Sequence, residues 1–152
     1  MILNWIQTLF RIIPSKILIK RIENYHTHYL GKCSDEKLFW GYLTSSFNKA
    51  GQIEKNYVVL HLFNKKGVYL KTKYYISDTS NNKSNDVLFV KLEEFVKEIE
   101  PVKFCNIKVQ LFKVEIDNLI FGLIPDKKYY TIDLEPHSTI SFTPPWNGYY
   151  DT

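Results

Sequence analysis

Cysteine is scarce in this chain. Cys33 and Cys105 are the only two in 152 residues, and they lie too far apart to match a metal-ligand or redox spacing. A disulfide framework is therefore excluded as the source of stability, and two lone thiols fit a reducing, cytoplasmic compartment. Diagnostic motifs are missing too. There is no Gly-rich phosphate loop, no G-x-S-x-G and no Cys–His nucleophile motif. RNP-like, zinc-finger and helix-turn-helix patterns are also absent.

An excess of charge is lacking over most of the chain. The net charge is +4, and residues 1 to 32 account for all of it, with Arg11, Lys16, Lys20, Arg21 and Lys32 against Glu23. The remainder holds 15 basic and 15 acidic residues. A body without net charge is a poor nucleic-acid binder, because that affinity rests on phosphate neutralisation. Long apolar runs are lacking as well. The opening MILNWIQTLFRIIP is interrupted by Arg11 and is too short to span a bilayer. With no preceding basic residue and no small-residue cleavage site, it does not read as a secretory signal.

What the chain does have is aromatic residues, at 16%, most of them Tyr and Phe. Such side chains suit a pleated, half-buried surface, and a chain of this length fits one domain with a sizeable core. Residues 104–124 read as the centre of a sheet. Cys105, Ile107, Val109 and Leu111 alternate with polar residues; then Phe112, Val114 and Ile116 take over, so the phase flips between Leu111 and Phe112. Asp117-Asn118 predicts a tight turn, and an apolar strand returns from Leu119 to Ile124.

The other elements follow from the same signals. Residues 25–47 predict a hairpin turning at Ser34-Asp35-Glu36; the rival is a helix from Ser34 with Leu38, Phe39, Tyr42, Leu43 and Phe47 on one face, which Gly41 and the aromatic content disfavour, and 48–56 is a polar loop. YVVLHLF at 57–63 and VYLKTKYYI at 68–76 pair through a turn ending at Gly67, and 77–86 is a polar loop. Leu88, Leu92, Phe95, Val96 and Ile99 share a helix face over about 86–100, which Pro101 closes. Tyr130, Ile132 and Leu134 mark a further strand, and TISF at 139–142 a last short one. Asn4, Gln7, Thr8 and Arg11 form one polar stripe on an otherwise apolar N-terminal helix. Its apolar face packs on the sheet or a partner, or makes a weak membrane-surface contact with Arg11, Lys16 and Lys20 near headgroups. The expected fold is α+β. It has an N-terminal amphipathic helical segment over 1–22 and a single domain over 23–152. In that domain one helix covers a single, mostly antiparallel sheet of about six to eight strands.

Four segments in order, YLGKCSDEKLFWGYLTSSF, VVLHLFNKKG, VEIDNLIFGLIP and the terminal FTPPWNGYYDT, carry a resemblance. Together they resemble a family of small bacterial proteins labelled "formate hydrogenlyase regulatory protein"-like, over roughly residues 28–152. The family's ending usually has Asp where this chain has Asn147. The resemblance implies a regulatory or accessory role and transfers no catalytic residue. The chain is also similar, in size and single-domain architecture, to the immunity partners of bacterial polymorphic toxins.

Candidate chemistry is thin. His26 and His28, at i and i+2, would share a strand face and form a metal pair if His61, Asp133, Glu135 or His137 completed it. Surface strand histidines are the simpler reading, and His61, among apolar neighbours, reads as a hydrogen-bonded core residue. Asp133 and Glu135 lie on one strand, whereas glycosidase carboxylates face each other across a cleft. No cofactor or metal is expected. The aromatic tail reads differently: Trp146, Tyr149 and Tyr150 surround Asp151 and, with Trp40 and Tyr42, are the residue types that dominate binding hot spots. Alternatively, Trp146 folds back and plugs the sheet end. The expected function is a non-enzymatic protein-binding module, an immunity or antitoxin-type inhibitor that occludes a bacterial toxin. The alternatives are a regulatory partner protein and a metal-dependent hydrolase.

Overall fold

Strand β4 (Ile53–Phe63) is buried on both faces from Tyr57 onward, and the architecture is built around that strand. Tyr57, Val59 and Phe63 point into one hydrophobic cluster, and Val58, Leu60 and Leu62 into another. A near-continuous apolar run is what a strand with two covered faces requires. The computed structural model describes residues 12–78 and 84–152. In it β4 lies inside a five-stranded antiparallel sheet with β2 (Tyr29–Lys32), β3 (Leu38–Phe47), β5 (Tyr69–Asp78) and β6 (Lys103–Phe104), in the order β5-β4-β3-β2-β6.

Helix α1 (Asn85–Glu98) covers one face of this sheet with Leu88, Leu92, Phe95 and Val96. Each such side chain contributes about 1.5–3 kcal/mol of burial before entropy opposes it. Gly41 lets the helix come close: a Cβ there would lie 2.7 Å from the Leu92 Cδ1. The opposite face packs on a second five-stranded sheet in the order β12-β11-β10-β9-β8. Its members are β8 (Lys113–Ile116), β9 (Leu119–Asp126), β10 (Thr131–Glu135), β11 (Ser141–Phe142) and β12 (Tyr150–Asp151). A third, two-stranded sheet joins β1 (Lys16–Ile19) to β7 (Ile107–Gln110). The result is mostly β with one helix.

Four expectations are corrected. There is not one sheet but three, because strands read as neighbours in sequence divide between layers. The 104–124 segment is not a sheet centre. Its phase flip at Leu111-Phe112 is where the chain leaves β7 in the small sheet and enters β8 at the edge of another. The N-terminal helix is not found in the described part of 1–22. Ile17 and Ile19 are buried, alternating with half-buried Lys16 and Leu18, and pair as β1 with β7. Residues 1–11 of that expected helix lie outside the described residues, as does 79–83 of the expected loop. The 48–56 loop is also shorter than expected, since β4 begins at Ile53.

The turn chemistry agrees with the sequence. Asp117 and Asn118 both take positive φ, 55° and 62°, in the β8–β9 turn, as a two-residue hairpin demands. Tyr130, Ile132 and Leu134 are buried together.

Candidate protein-binding face

The loop from Lys20 to His28, between β1 and β2, is fixed by polar contacts at several points. Arg21 N–H donates to Asn106 Oδ1 at 2.9 Å and Ile22 N–H to Thr27 Oγ1 at 3.0 Å. The Arg21 Nε donates to the His28 carbonyl at 3.0 Å, and the Trp40 indole Nε1 to the His26 carbonyl at 2.7 Å. Glu23 is the hub. Its Oε2 accepts the Tyr25 amide at 2.8 Å, and its Oε1 accepts the His26 amide at 2.6 Å and the Tyr150 hydroxyl at 2.8 Å. Burial raises the Glu23 carboxyl, but the bonds from Tyr150 and the two backbone amides, with His26 beside it, outweigh that and leave its pKa lowered.

This loop contributes Tyr25, His26 and His28 to a line of rings that β2, β6, α1 and β12 complete. Phe104 from β6 meets His28 at 5.6 Å and Tyr29 at 6.2 Å. Tyr29 stacks on Phe89 of α1 at 6.2 Å, and Phe89 meets Tyr25 edge-on at 5.6 Å. Tyr25 then meets His26 at 4.8 Å, and His26 meets Tyr150 of β12 at 6.4 Å. Charges border the line: the Arg21 guanidinium lies 4.9 Å from the Phe104 centroid, and Glu93 accepts the Tyr29 hydroxyl at 3.0 Å. Beyond Tyr25 the surface continues into a cleft of about 260 Å³ shared with Thr44, Phe47, His137 and Thr139, where Phe47 and His137 meet edge-on at 5.2 Å. Tyr25, Phe104 and Phe47 are 36%, 39% and 47% exposed, high values for rings so well braced.

The residues expected from sequence are distributed unevenly. Trp40 and Tyr42 are fully buried in the main core, so they offer no surface to a partner. Trp40 acts underneath, holding the loop by the His26 carbonyl. Trp146 is half-buried against the core, edge-on to Tyr130 at 5.6 Å, and its indole N–H is buried without a hydrogen-bond partner. Tyr150 is half-buried and bonded to Glu23 and Thr27. Tyr149 is exposed with the Lys20 ammonium 4.3 Å above its ring, and Asp151 is exposed opposite Ser141.

The histidines do not converge. His26 contacts Glu23, His28 contacts Arg21, His61 is sealed in the core and His137 meets Phe47. Asp133 accepts from Thr131 and Ser141, and Glu135 from Ser138. Among the described residues, no group of three or more His, Cys, Asp or Glu is placed to hold a metal ion, and no helix is long and apolar enough to cross a membrane. Tyr25, Phe89 and Phe104 escaped the sequence reading. They come from three distant segments, and the only local signal was a tyrosine beside two histidines.

Replacing Glu23 with Gln keeps the shape and removes the charge that three donors share. The expected loss is about 1–2 kcal/mol, kept small because the carboxylate is partly exposed. Urea unfolding checks it: the midpoint should fall with an unchanged m-value. A midpoint equal to wild type would mean that Glu23 does not hold the loop.

No family model, no curated protein and no solved structure matches this chain.

Proposed function

We propose that the protein is a non-enzymatic protein-binding module of the immunity or antitoxin type, which occludes a toxin by laying its ridge of rings over it. The observation that carries this reading is the ridge itself. Exposed rings of Tyr25, on a loop already fixed by Glu23, Thr27 and Trp40, and of Phe104, on β6, are joined through Tyr29 and Phe89 and bordered by Arg21 and Glu93. Aromatic residues and Arg dominate binding hot spots, and a pre-ordered surface loses little entropy when it docks. Tyr150 reaches the ridge from the tail, so the expected tail residues contribute through that one ring.

The test is an affinity pulldown of the tagged protein from its own host, with mass spectrometry of what is retained. A stoichiometric partner of toxin architecture is the expected result. The pair Tyr25→Ala and Phe104→Ala should then weaken the complex at least about tenfold each, while Tyr129→Ala, also exposed but in the β9–β10 connection, leaves it unchanged. An empty pulldown would overturn the reading. A stoichiometric partner of another kind would instead make this the regulatory protein that the family resemblance implies.

A further inference from the structure

At the Phe104 end of the ridge, the C-terminal half of α1, Val102 and β6 border an open cavity of about 310 Å³. Rings of His28, Tyr29 and Phe104 line it, in mutual contact at 4.7–6.2 Å. The carboxylates of Glu93 and Glu100 line it as well, and among the described residues neither forms an ion pair. Glu93 uses Oε1 to accept the Tyr29 hydroxyl, which leaves its second oxygen for a ligand. Glu100 also lies just past the C-terminal end of α1, where the helix dipole places partial negative charge. Ring faces, carboxylates and a helix C-terminus all attract cations. Phe104 already holds one: Arg21, which does not line the cavity, sits over its ring.

We propose that this cavity receives one lysine or arginine side chain of the partner protein, with its aliphatic stem against Val96 and Val102 and its cationic head between the rings and the two glutamates. The inference rests on the protein-binding reading and names the chemistry of one contact. Lys97 is the opposing charge, because it lines the same cavity. Its flexible stem lets the ammonium move out to solvent when a second cation arrives.

The test needs no partner, so it fails or succeeds independently of the pulldown. Butylguanidinium and butylammonium are titrated into ¹⁵N-labelled protein, with neutral butylurea as control. Saturable shifts are expected for residues 28–29, 93–100 and 102–104 with the cations and not with the urea. Glu93→Gln with Glu100→Gln should weaken binding about fivefold or more. Lys97→Gln should tighten it. The dispersed amide spectrum of each variant shows whether it is folded. Equal shifts with butylurea, or unchanged binding in the double glutamine variant, would overturn the proposal.

Discussion

Acidification from pH 6.5 to 4.5 is expected to remove about 2 kcal/mol of stability, with about 2 kcal/mol more lost by pH 3. The cause is His61. Its ring is fully buried in the main cluster. The Tyr42 hydroxyl lies 2.9 Å from Nε2 and the Thr72 hydroxyl 2.6 Å from Nδ1, and Tyr69 bonds Thr72 in turn at 2.8 Å. Phe112 closes the site at 4.9 Å. A neutral imidazole offers one donor and one acceptor, which two hydroxyls satisfy. Rings and hydroxyls do not compensate a full charge, so burial pushes the His61 pKa down from 6.5 to about 3. The unfolded chain protonates this histidine near 6.5 and the folded chain only near 3. Between those values the unfolded state binds more protons, so stability is full above pH 6.5 and falls as pH drops, by about 1.4 kcal/mol per unit. The lowered carboxyls of Glu23 and Asp117 add their own loss only below about their unfolded values of 4.5 and 3.8, so the window from 6.5 to 4.5 reports His61. Against a typical total of about 5–15 kcal/mol this is a large share. Denaturant unfolding at half-unit pH steps measures it, with His61→Gln as the non-titrating control. A flat wild-type profile above pH 4.5 would refute the account.

Replacing Gly122 with Ala should cost about 3–5 kcal/mol. Gly122 lies within β9, paired with Lys113 on one side and Glu135 on the other, at φ +133°. An added methyl would overlap the Phe112 carbonyl, the oxygen that accepts the Leu123 amide at 2.9 Å. Two costs combine here: a backbone conformation that L-residues rarely adopt, and a collision with main chain that no rotamer change relieves. Gly51 separates the two. It also has positive φ, +77°, but no atom lies within 4 Å of the position a Cβ would take, so Gly51→Ala should cost only about 1–2 kcal/mol. Thermal unfolding of both variants makes the comparison. Equal melting temperatures would mean that the β8–β9 contact yields more easily than its geometry indicates.

Much of the fold was legible because local periodicity reports burial. Leu88, Leu92, Phe95 and Val96 fixed the helix, Tyr130, Ile132 and Leu134 their strand, and Asp117-Asn118 the hairpin. The division into three sheets was not, since periodicity shows which residues point inward but not which layer they meet. Two signals were nonetheless present. YVVLHLF, apolar at every position but His61, marks a strand covered on both faces, and Ile17 and Ile19 alternate as a strand does. The candidate site was nearly invisible. An aromatic residue reads the same in sequence whether sealed like Trp40 or exposed like Phe104, and the ridge forms only when β2, β6, β12 and α1 come together.

The sheet that contains β4 keeps two apolar clusters apart, one under α1 and one between the two large sheets. The smaller cluster can therefore be lost without the larger. In hydrogen–deuterium exchange, the α1 amides should form a lower-energy opening unit, while those shared by β3 and β4 exchange only through global unfolding. Phe89 and the cavity wall of Glu93 and Val96 belong to α1. Whatever occupies the ridge should thus slow exchange in that helix well beyond the residues it touches.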